Sequence, residues 1–196
     1  MTTSATTSAT TSATSSAIPP VTPCVILRKA RSTDAGKVGT ILSDFIDSVD
    51  WMPRIHTRAE DIAHAGRMID QGWVVVAEEW GKQAPVRIAG FYARDGVDLN
   101  ALYVAADARG AGLGTTLLDH ARDGQDRLEI WTFQANTGAQ RFYERHGFAE
   151  ETRTDGTGDS GTDGTGDTGT GDTGTDGRAN DEHLPDIRYV WKRPKP

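Results

Sequence analysis

Apolar positions recur along the chain with two periods, and the switches between them predict the order of the elements. Alternating or continuous apolar runs predict strands, and apolar residues spaced by three and four predict helices. A first helix is predicted after Thr33 or Asp34, with apolar positions from Val38 to Val49. The remaining helices are predicted at 58–69, 112–123 and 137–146, and the strands at 25–31, 73–79, 86–93, 97–104, 127–133, 147–153 and 187–192.

Two segments lack this apolar patterning. One precedes the single predicted domain, and the other interrupts it. The chain has 196 residues, which suits one domain with a sizeable core. Residues 1–17 are almost entirely Thr, Ser and Ala, and residues 154–177 contain only Thr, Gly, Asp and one Ser. Such segments bury too little apolar surface to offset their ordering entropy. We therefore predict a disordered tail at 1–23 and one domain over 24–193, interrupted by a disordered insert at 154–178.

Charge and cysteine content narrow the function classes. The net charge is −7, but the insert alone carries six Asp, so the rest of the chain is close to neutral. The sequence has no stripe of basic residues of the kind that binds nucleic acid. The single Cys24 excludes an internal disulfide. No apolar run approaches the roughly 18 residues that a membrane span needs, and the N-terminus has no secretory pattern. A cytoplasmic protein is the expectation.

The segment from Leu99 to Leu118 has the pattern of an anion site. An apolar run leads into Arg109-Gly110-Ala111-Gly112-Leu113-Gly114, and a helical pattern follows at once. A helix start presents unpaired N–H groups and the positive end of the helix dipole. Glycines let those groups approach a phosphate, and Arg109 adds a fork suited to phosphate oxygens. The sequence therefore predicts a pyrophosphate cradle, with a hydroxyl from Thr115 or Thr116 as a further donor.

The spacing of the cradle excludes the two commonest phosphate loops. No Lys follows Gly114, so a P-loop is excluded, and the order G-x-G-x-G is not the dinucleotide fingerprint G-x-G-x-x-G. What fits is R-x-x-G-x-G. A second block follows a predicted strand: N-T-G-A-Q-R-F-Y-E-R-H-G-F, from Asn136 to Phe148. Together the two blocks resemble the acyl-CoA-binding motifs of the GNAT (Gcn5-related) N-acetyltransferases.

The resemblance covers about residues 24–153 and 179–193, and it implies a fold, a cofactor and site residues. The implied fold is α/β (α+β): a mixed, mostly antiparallel sheet of about seven strands with helices on both faces. The implied co-substrate is acetyl-CoA, with no metal. Its pyrophosphate is expected on the main chain from Gly110 to Thr115 beside Arg109, and its pantetheine arm on the main chain of Leu102, Tyr103 and Val104. Asn136 is expected to contact the same arm, unless it serves only as an N-cap.

The resemblance also implies an acid and leaves the base open. Tyr143 is the expected general acid, because a phenol with an ordinary pKa near 10 holds a proton at neutral pH; the alternative is that it only packs in the core. Asp98, eleven positions before Arg109, corresponds to the catalytic Glu of the histone-acetylating branch. Glu78 and Glu79 at a strand end, acting through water, and the loop residue His56 are the other candidates.

The acceptor is the least defined part of this interpretation. Members of the family acetylate small molecules, peptides and proteins on one scaffold, so a small-molecule or peptide amine is expected. Neither nucleic acid nor membrane is expected as a partner, and homodimers are common in the family. Two other hypotheses remain: a non-catalytic acyl-CoA-binding sensor on the same fold, and an interaction module whose acidic insert recruits a partner.

Overall fold

The computed structural model describes residues 24–80, 85–156 and 180–195. Within these ranges the predicted order of elements is confirmed, with boundaries that move by at most two residues. The strands are β1 (Cys24–Lys29), β2 (Val74–Trp80), β3 (Arg87–Asp95), β4 (Asp98–Val104), β5 (Arg127–Phe133), β6 (Ala149–Arg153) and β7 (Asp186–Lys192). The helices are α1 (Ala35–Asp47), α2 (Arg58–Asp70), α3 (Leu113–Arg122) and α4 (Thr137–Arg145).

The strands form one twisted sheet in the order β1-β2-β3-β4-β5-β7-β6. Every neighbouring pair is antiparallel except β4 and β5, which run parallel. A parallel pair needs a crossover connection, and α3 supplies it. The predicted mixed, mostly antiparallel sheet is confirmed.

Helices cover both faces of the sheet and form two cores. Strand β2 shows how alternation divides its side chains between them: Val75 and Ala77 face α3 and α4, while Val74 and Val76 face α1 and α2. The core beneath α3 and α4 also holds Leu117, and the core beneath α1 and α2 holds Phe91. Both sides of the central strands are therefore dry, which explains their nearly continuous apolar sequences.

Two expectations lie partly or wholly outside the described residues. They are the tail at 1–23 and the insert, of which the part from 157 to 178 is not described. The first residues of the predicted insert are described: the Thr154 N–H donates to the Asp186 carbonyl at 3.0 Å. Among the described residues, no helix is long and apolar enough to cross a membrane.

Gly39 marks the closest approach of α1 and α2. A Cβ at this position would lie 2.6 Å from the Ile62 Cα, whereas one at Gly36, on the same helix, would meet nothing within 4 Å. We expect Gly39→Ala to lower the free energy of unfolding by about 1–3 kcal/mol, as overpacked cores do. Gly36→Ala should leave it unchanged or raise it by up to about 1 kcal/mol. Urea denaturation measures both, and equal stabilities would contradict the close helix contact.

Candidate active site

A gap between β4 and β5 divides the sheet near its centre. Their pairing register consists of Asp98 opposite Glu129, where the Glu129 N–H donates to the Val97 carbonyl at 2.9 Å. Beyond that point both strands continue, and the gap opens toward their carboxyl ends. Asn100 adds to the divergence, because Ala93 pairs with Ala101 and Arg94 with Leu99, which leaves Asn100 as a bulge in β4.

The main chain of β4 presents hydrogen-bonding groups to this gap. The Ala105 N–H donates to the Ala89 carbonyl at 2.8 Å, on the β3 side. Because main-chain groups of successive strand residues point in opposite directions, those of Leu102 and Val104 face the gap. The Arg109 Nε donates to the Val104 carbonyl at 3.1 Å, which ties the glycine-rich loop to the end of β4. An extended ligand with amide groups can pair with this edge.

The glycine-rich loop forms an open cradle at the same end of the gap. Gly110 and Gly112 have φ values of 81° and 82°, in the left-handed region that favours glycine, and a Cβ on either would meet nothing within 4 Å. Gly112 is the N-cap of α3, and its carbonyl accepts from the Thr116 N–H. The N–H groups of the first turn of α3 therefore point out of the helix.

The residues around this turn hold it in place. Ala111 is exposed beside the glycines, whereas the Leu113 side chain is buried and anchors the helix in the core. A Cβ on Gly114 would lie 3.4 Å from the Phe142 ring of α4. Helix α4 therefore packs closely against the start of α3. The cradle is a fixed feature of the fold, and its N–H groups and helix dipole suit an anion.

Both threonine hydroxyls of the turn are engaged with the protein. The Thr116 hydroxyl donates to the Gly112 carbonyl at 3.3 Å. His146 Nδ1 lies 2.7 Å from the Phe142 carbonyl, which can only accept, so this nitrogen carries the proton. The Thr115 hydroxyl then donates to His146 Nε2 at 3.0 Å. In this structure the predicted hydroxyl donors serve the protein, and the main chain and Arg109 are the cradle's remaining donors.

Helix α4 contributes Asn136 and Tyr143. The Asn136 side chain accepts from the Ala139 N–H at 3.1 Å, which confirms its N-cap role. Tyr143 is buried, with ring contacts to Phe148 at 5.3 Å and Tyr189 at 6.2 Å between centroids. Burial, and then the neighbouring Tyr103, raise the pKa of the Tyr143 hydroxyl well above its ordinary value. It therefore stays protonated over the whole neutral range.

On the α1 and α2 face, a cavity of about 440 Å³ lies beside the gap. It is walled by α1, α2, β4, β5 and the loop that precedes β7. The apolar part includes Leu42, Met52 and Phe91. The carboxylates in its lining are Glu60, Asp61, Asp98, Glu129, Asp181, Glu182 and Asp186, and its basic groups are Arg67, His56 and His64. This excess of carboxylates favours a cationic ligand.

Tyr103 connects the gap with this cavity. Its main chain pairs with Phe91 on the β3 side, and its ring packs against Phe91 and Phe45 with centroids 5.6 and 5.2 Å away. Burial, followed by the carboxylates of Glu182 and Asp61, raises the pKa of its hydroxyl to about 12. Tyr103 was predicted as a main-chain ligand, but its main-chain groups point toward β3, and it is its side chain that lines the cavity.

The predicted bases differ in where they lie. Asp98 lines the cavity at the closed end of the gap, and His56 lines it from the loop between α1 and α2. Glu78 does not line it: its carboxylate pairs with Arg28, which also binds Asp34 at 2.7 Å.

Glu79 lies on the same strand as Glu78 and is likewise outside the lining. Its carboxylate pairs with Arg87 at 2.6 Å. The two strand-end glutamates therefore neutralise arginines on neighbouring strands and do not face the cavity.

Two further features of the cavity carried no sequence signal. Arg54 holds the loop between α1 and α2 through Asp61 at 3.1 Å and the carbonyls of Ser43 and His56 at 3.0 and 2.8 Å. Glu182 reaches the cavity from the loop after the insert. Neither belongs to a motif, and only the fold brings them to the site. The described residues contain no group of three or more His, Cys, Asp or Glu side chains that could hold a metal ion.

Comparison with known proteins identifies the family to which the gap and the cradle correspond. The family described as acetyltransferase (GNAT) domain matches residues 70–150, which run from the end of α2 to β6 and include the gap and the cradle. Residues 70–150 of the chain therefore match a GNAT acetyltransferase domain. The predicted family and enzyme class are confirmed.

Two curated relatives of this chain are named N-acetyltransferases. The peptidyl-lysine N-acetyltransferase YjaB of Escherichia coli is 26% identical over 133 residues, which are 67% of this chain and 86% of YjaB. The uncharacterized N-acetyltransferase MJ1207 of Methanocaldococcus jannaschii is 35% identical over 63 residues, which are 30% of this chain and only 28% of MJ1207.

Solved structures share the fold of this chain. The solution structure of apo YjaB from Escherichia coli has a TM-score of 0.61 at 20% identity, covering 85% of this chain and 97% of that one. The structure of yncA from Salmonella typhimurium with its cofactor acetyl-CoA has a TM-score of 0.56 at 16% identity, covering 88% and 98%. The predicted fold is confirmed by these neighbours.

Proposed function

We propose that this protein transfers the acetyl group of acetyl-CoA directly to a primary amine while both substrates are bound. The observation that carries the proposal is the gap between β4 and β5, with an anion cradle at its open end and an acidic cavity on one face. One ligand can lie along the gap, and the second can reach it from the cavity. The yncA structure, which contains acetyl-CoA on the same fold, supports the choice of donor.

The residues present fit acetyl-CoA. Gly110 and Gly112 leave open space where any other residue would place a Cβ, so a pyrophosphate can approach the first-turn N–H groups of α3. The Leu102 and Val104 main chain offers strand-like partners for the two amides of the pantetheine arm. When bound, acetyl-CoA supplies the activated acetyl group, and a main-chain N–H of β4 can polarise its carbonyl. The Asn136 side-chain oxygen caps α4, and its amide nitrogen can contact the pantetheine arm.

The chain's own residues then move the protons. The acceptor enters the acidic cavity as an ammonium ion and must lose a proton before its lone pair can attack. Tyr143 holds a proton at neutral pH and can donate it to the departing sulfur. Its high pKa makes the resulting phenolate basic enough to recover a proton as the amide nitrogen loses one.

A lysine side chain is the first acceptor to test. YjaB is named a peptidyl-lysine N-acetyltransferase, and an extended lysine amine suits a cavity with carboxylates in its wall. The experiment measures CoA release from acetyl-CoA by the full chain with end-blocked lysine peptides, polyamines, amino acids and peptides with free N-termini. Turnover on one class establishes the activity and names the acceptor. Tight acetyl-CoA binding without turnover on any class would support the sensor hypothesis, and no binding would refute the donor.

A further inference from the structure

We propose that Glu182 is the general base that deprotonates the acceptor amine. This assignment rests on the proposed acetyl transfer. Glu182 belongs to the loop that connects the insert to β7, far in sequence from the acyl-CoA motifs. None of the sequence patterns that indicate the site includes it.

The loop that carries Glu182 has a defined conformation at the cavity. The Asn180 side chain donates to the Leu184 carbonyl at 2.7 Å and accepts from the Leu184 N–H at 2.9 Å. The His183 N–H donates to the Asn180 carbonyl at 3.0 Å, which closes the turn. Asn180 therefore spans the turn with three hydrogen bonds, and Glu182 lies at its centre.

Four of the other carboxylates in the lining are bound to protein partners, and two of these four bind arginines. Asp61 binds Arg54 and Ser43, and Glu129 binds Arg127 and Arg188. The oxygens of these two carboxylates are therefore already engaged within the protein.

Two more carboxylates accept hydrogen bonds from main-chain or side-chain donors of the protein. Glu60 accepts from the Thr57 N–H at 2.7 Å as part of the α2 cap, and Asp186 accepts from Thr154 and from Asn180. Asp98 remains in the wall at the closed end of the gap, four residues before Leu102. Among the described residues, by contrast, no ion pair involves Glu182.

The surroundings of Glu182 suit a group that takes up a proton. It is half-buried, and desolvation raises the pKa of its carboxyl, as does Asp181 beside it. A hydrogen bond from its own main-chain N–H lowers this pKa, and so do the nearby His56 and His183. Desolvation is the largest of these effects, so the carboxylate is a stronger base than an exposed glutamate.

Glu182 and Tyr103 both line the cavity. The Tyr103 hydroxyl is close enough to Glu182 and to Tyr143 for their charges to interact. Tyr103, with its pKa raised to about 12, remains a neutral hydroxyl that can hydrogen-bond the incoming amine or a bridging water.

The proton and electron balance of the transfer is complete with these groups. Glu182 removes one proton from the ammonium nitrogen, directly or through one water, and the freed lone pair forms the bond to the acetyl carbonyl carbon. As the carbon–sulfur bond breaks, Tyr143 gives its proton to the sulfur. The nitrogen loses its second proton to the Tyr143 phenolate. The products are the amide, CoA thiol and one proton that leaves Glu182 for solvent.

The test compares Glu182→Gln with the wild type, using acetyl-CoA and an end-blocked peptide with one lysine, and spermidine as a second amine. We expect kcat/KM to fall at least about 30-fold, within the range for general-base removal. The wild-type value should decline as pH falls through the Glu182 pKa, because protonation removes the base. That acidic limb should be missing from the variant. Glu150→Gln, the same change on the exposed strand β6, is the control and should match the wild type.

The outcomes separate this assignment from the proposed function. Loss of activity and of the acidic limb in Glu182→Gln alone supports the assignment. An unchanged kcat, or an acidic limb that persists, overturns it while acetyl transfer stands, and Asp98→Asn then tests the alternative base. A wild type that acetylates neither amine overturns both. Should Glu182→Gln fail to fold, Glu182→Asp is used instead. If Glu182 is the base, the shorter side chain lowers kcat and shifts the acidic limb of the pH profile. If Glu182 has no catalytic role, neither changes.

Discussion

Tyr143→Phe should lower kcat by about 10²-fold or more, within the range for a positioned general acid. The substitution keeps the ring, so its contacts with Phe148 and Tyr189 persist and the fold should hold. The affinity for acetyl-CoA should change little, because the cradle and the β4 edge are untouched. Steady-state kinetics with the acceptor identified in the panel, together with calorimetric binding of acetyl-CoA, separate these two effects.

The matched control is Tyr92→Phe. Tyr92 is also buried under α3, but its hydroxyl hydrogen-bonds His120 Nδ1 at 2.8 Å, away from the gap. Loss of that bond should lower stability by about 1 kcal/mol and leave kcat unchanged. If Tyr143→Phe retained kcat within threefold of the wild type, Tyr143 would be a packing residue only.

The raised pKa of Tyr143 adds a pH dependence to this prediction. An acid is lost as pH rises through its pKa in the folded protein. Because burial places that pKa well above the ordinary value near 10, kcat should not fall from Tyr143 ionisation at any pH below about 10. A basic limb near pH 8 that disappears in Tyr143→Phe would contradict the burial seen here.

Gly112→Val should raise the Kd for acetyl-CoA at least tenfold. A residue with a side chain at φ 82° is strained by about 1–2 kcal/mol, and its Cβ would enter the open space over the cradle. Strain alone, however, would lower stability without reporting on a ligand. Calorimetric titration gives the affinity, and thermal unfolding gives the stability of the same sample.

Gly124→Val is the control for that strain. Gly124 follows the other end of α3, has φ 72°, and likewise has nothing within 4 Å of its Cβ position. It should lose similar stability and bind acetyl-CoA as the wild type does. Equal weakening in both variants would show that Gly112 acts through the helix as a whole, and no weakening in either would remove the cradle from the cofactor site.

Much of the site could be predicted because its signals are local. The R-x-x-G-x-G loop, the N-cap at Asn136 and the left-handed Gly147 are decided by residues within one or two turns of each other. Periodicity gave β5 its observed bounds for the same reason. The helix ends were less accurate, since α1 stops at Asp47 and not Val49, where the apolar pattern continued beyond the hydrogen-bonded helix.

The roles of individual side chains could not be predicted in this way. Glu78 was a candidate base until the fold paired it with Arg28, fifty residues earlier in the chain. The Thr115 hydroxyl was a candidate phosphate donor, but α4 places His146 against it, 31 residues later. A strand-end carboxylate and a helix-start hydroxyl look alike in sequence whether they face a ligand or a protein partner.

By itself, the sequence determined the order of strands and helices, the phosphate-type loop and the family, because turn chemistry and periodicity act over short stretches of chain. The tertiary structure alone decided that β4 and β5 part after Asp98, that Tyr103 turns its hydroxyl toward an acidic cavity, and that Glu182 joins the site from the loop before β7. These features depend on contacts between residues far apart in the chain, and the burial and charge that set their chemistry exist only once the sheet is assembled.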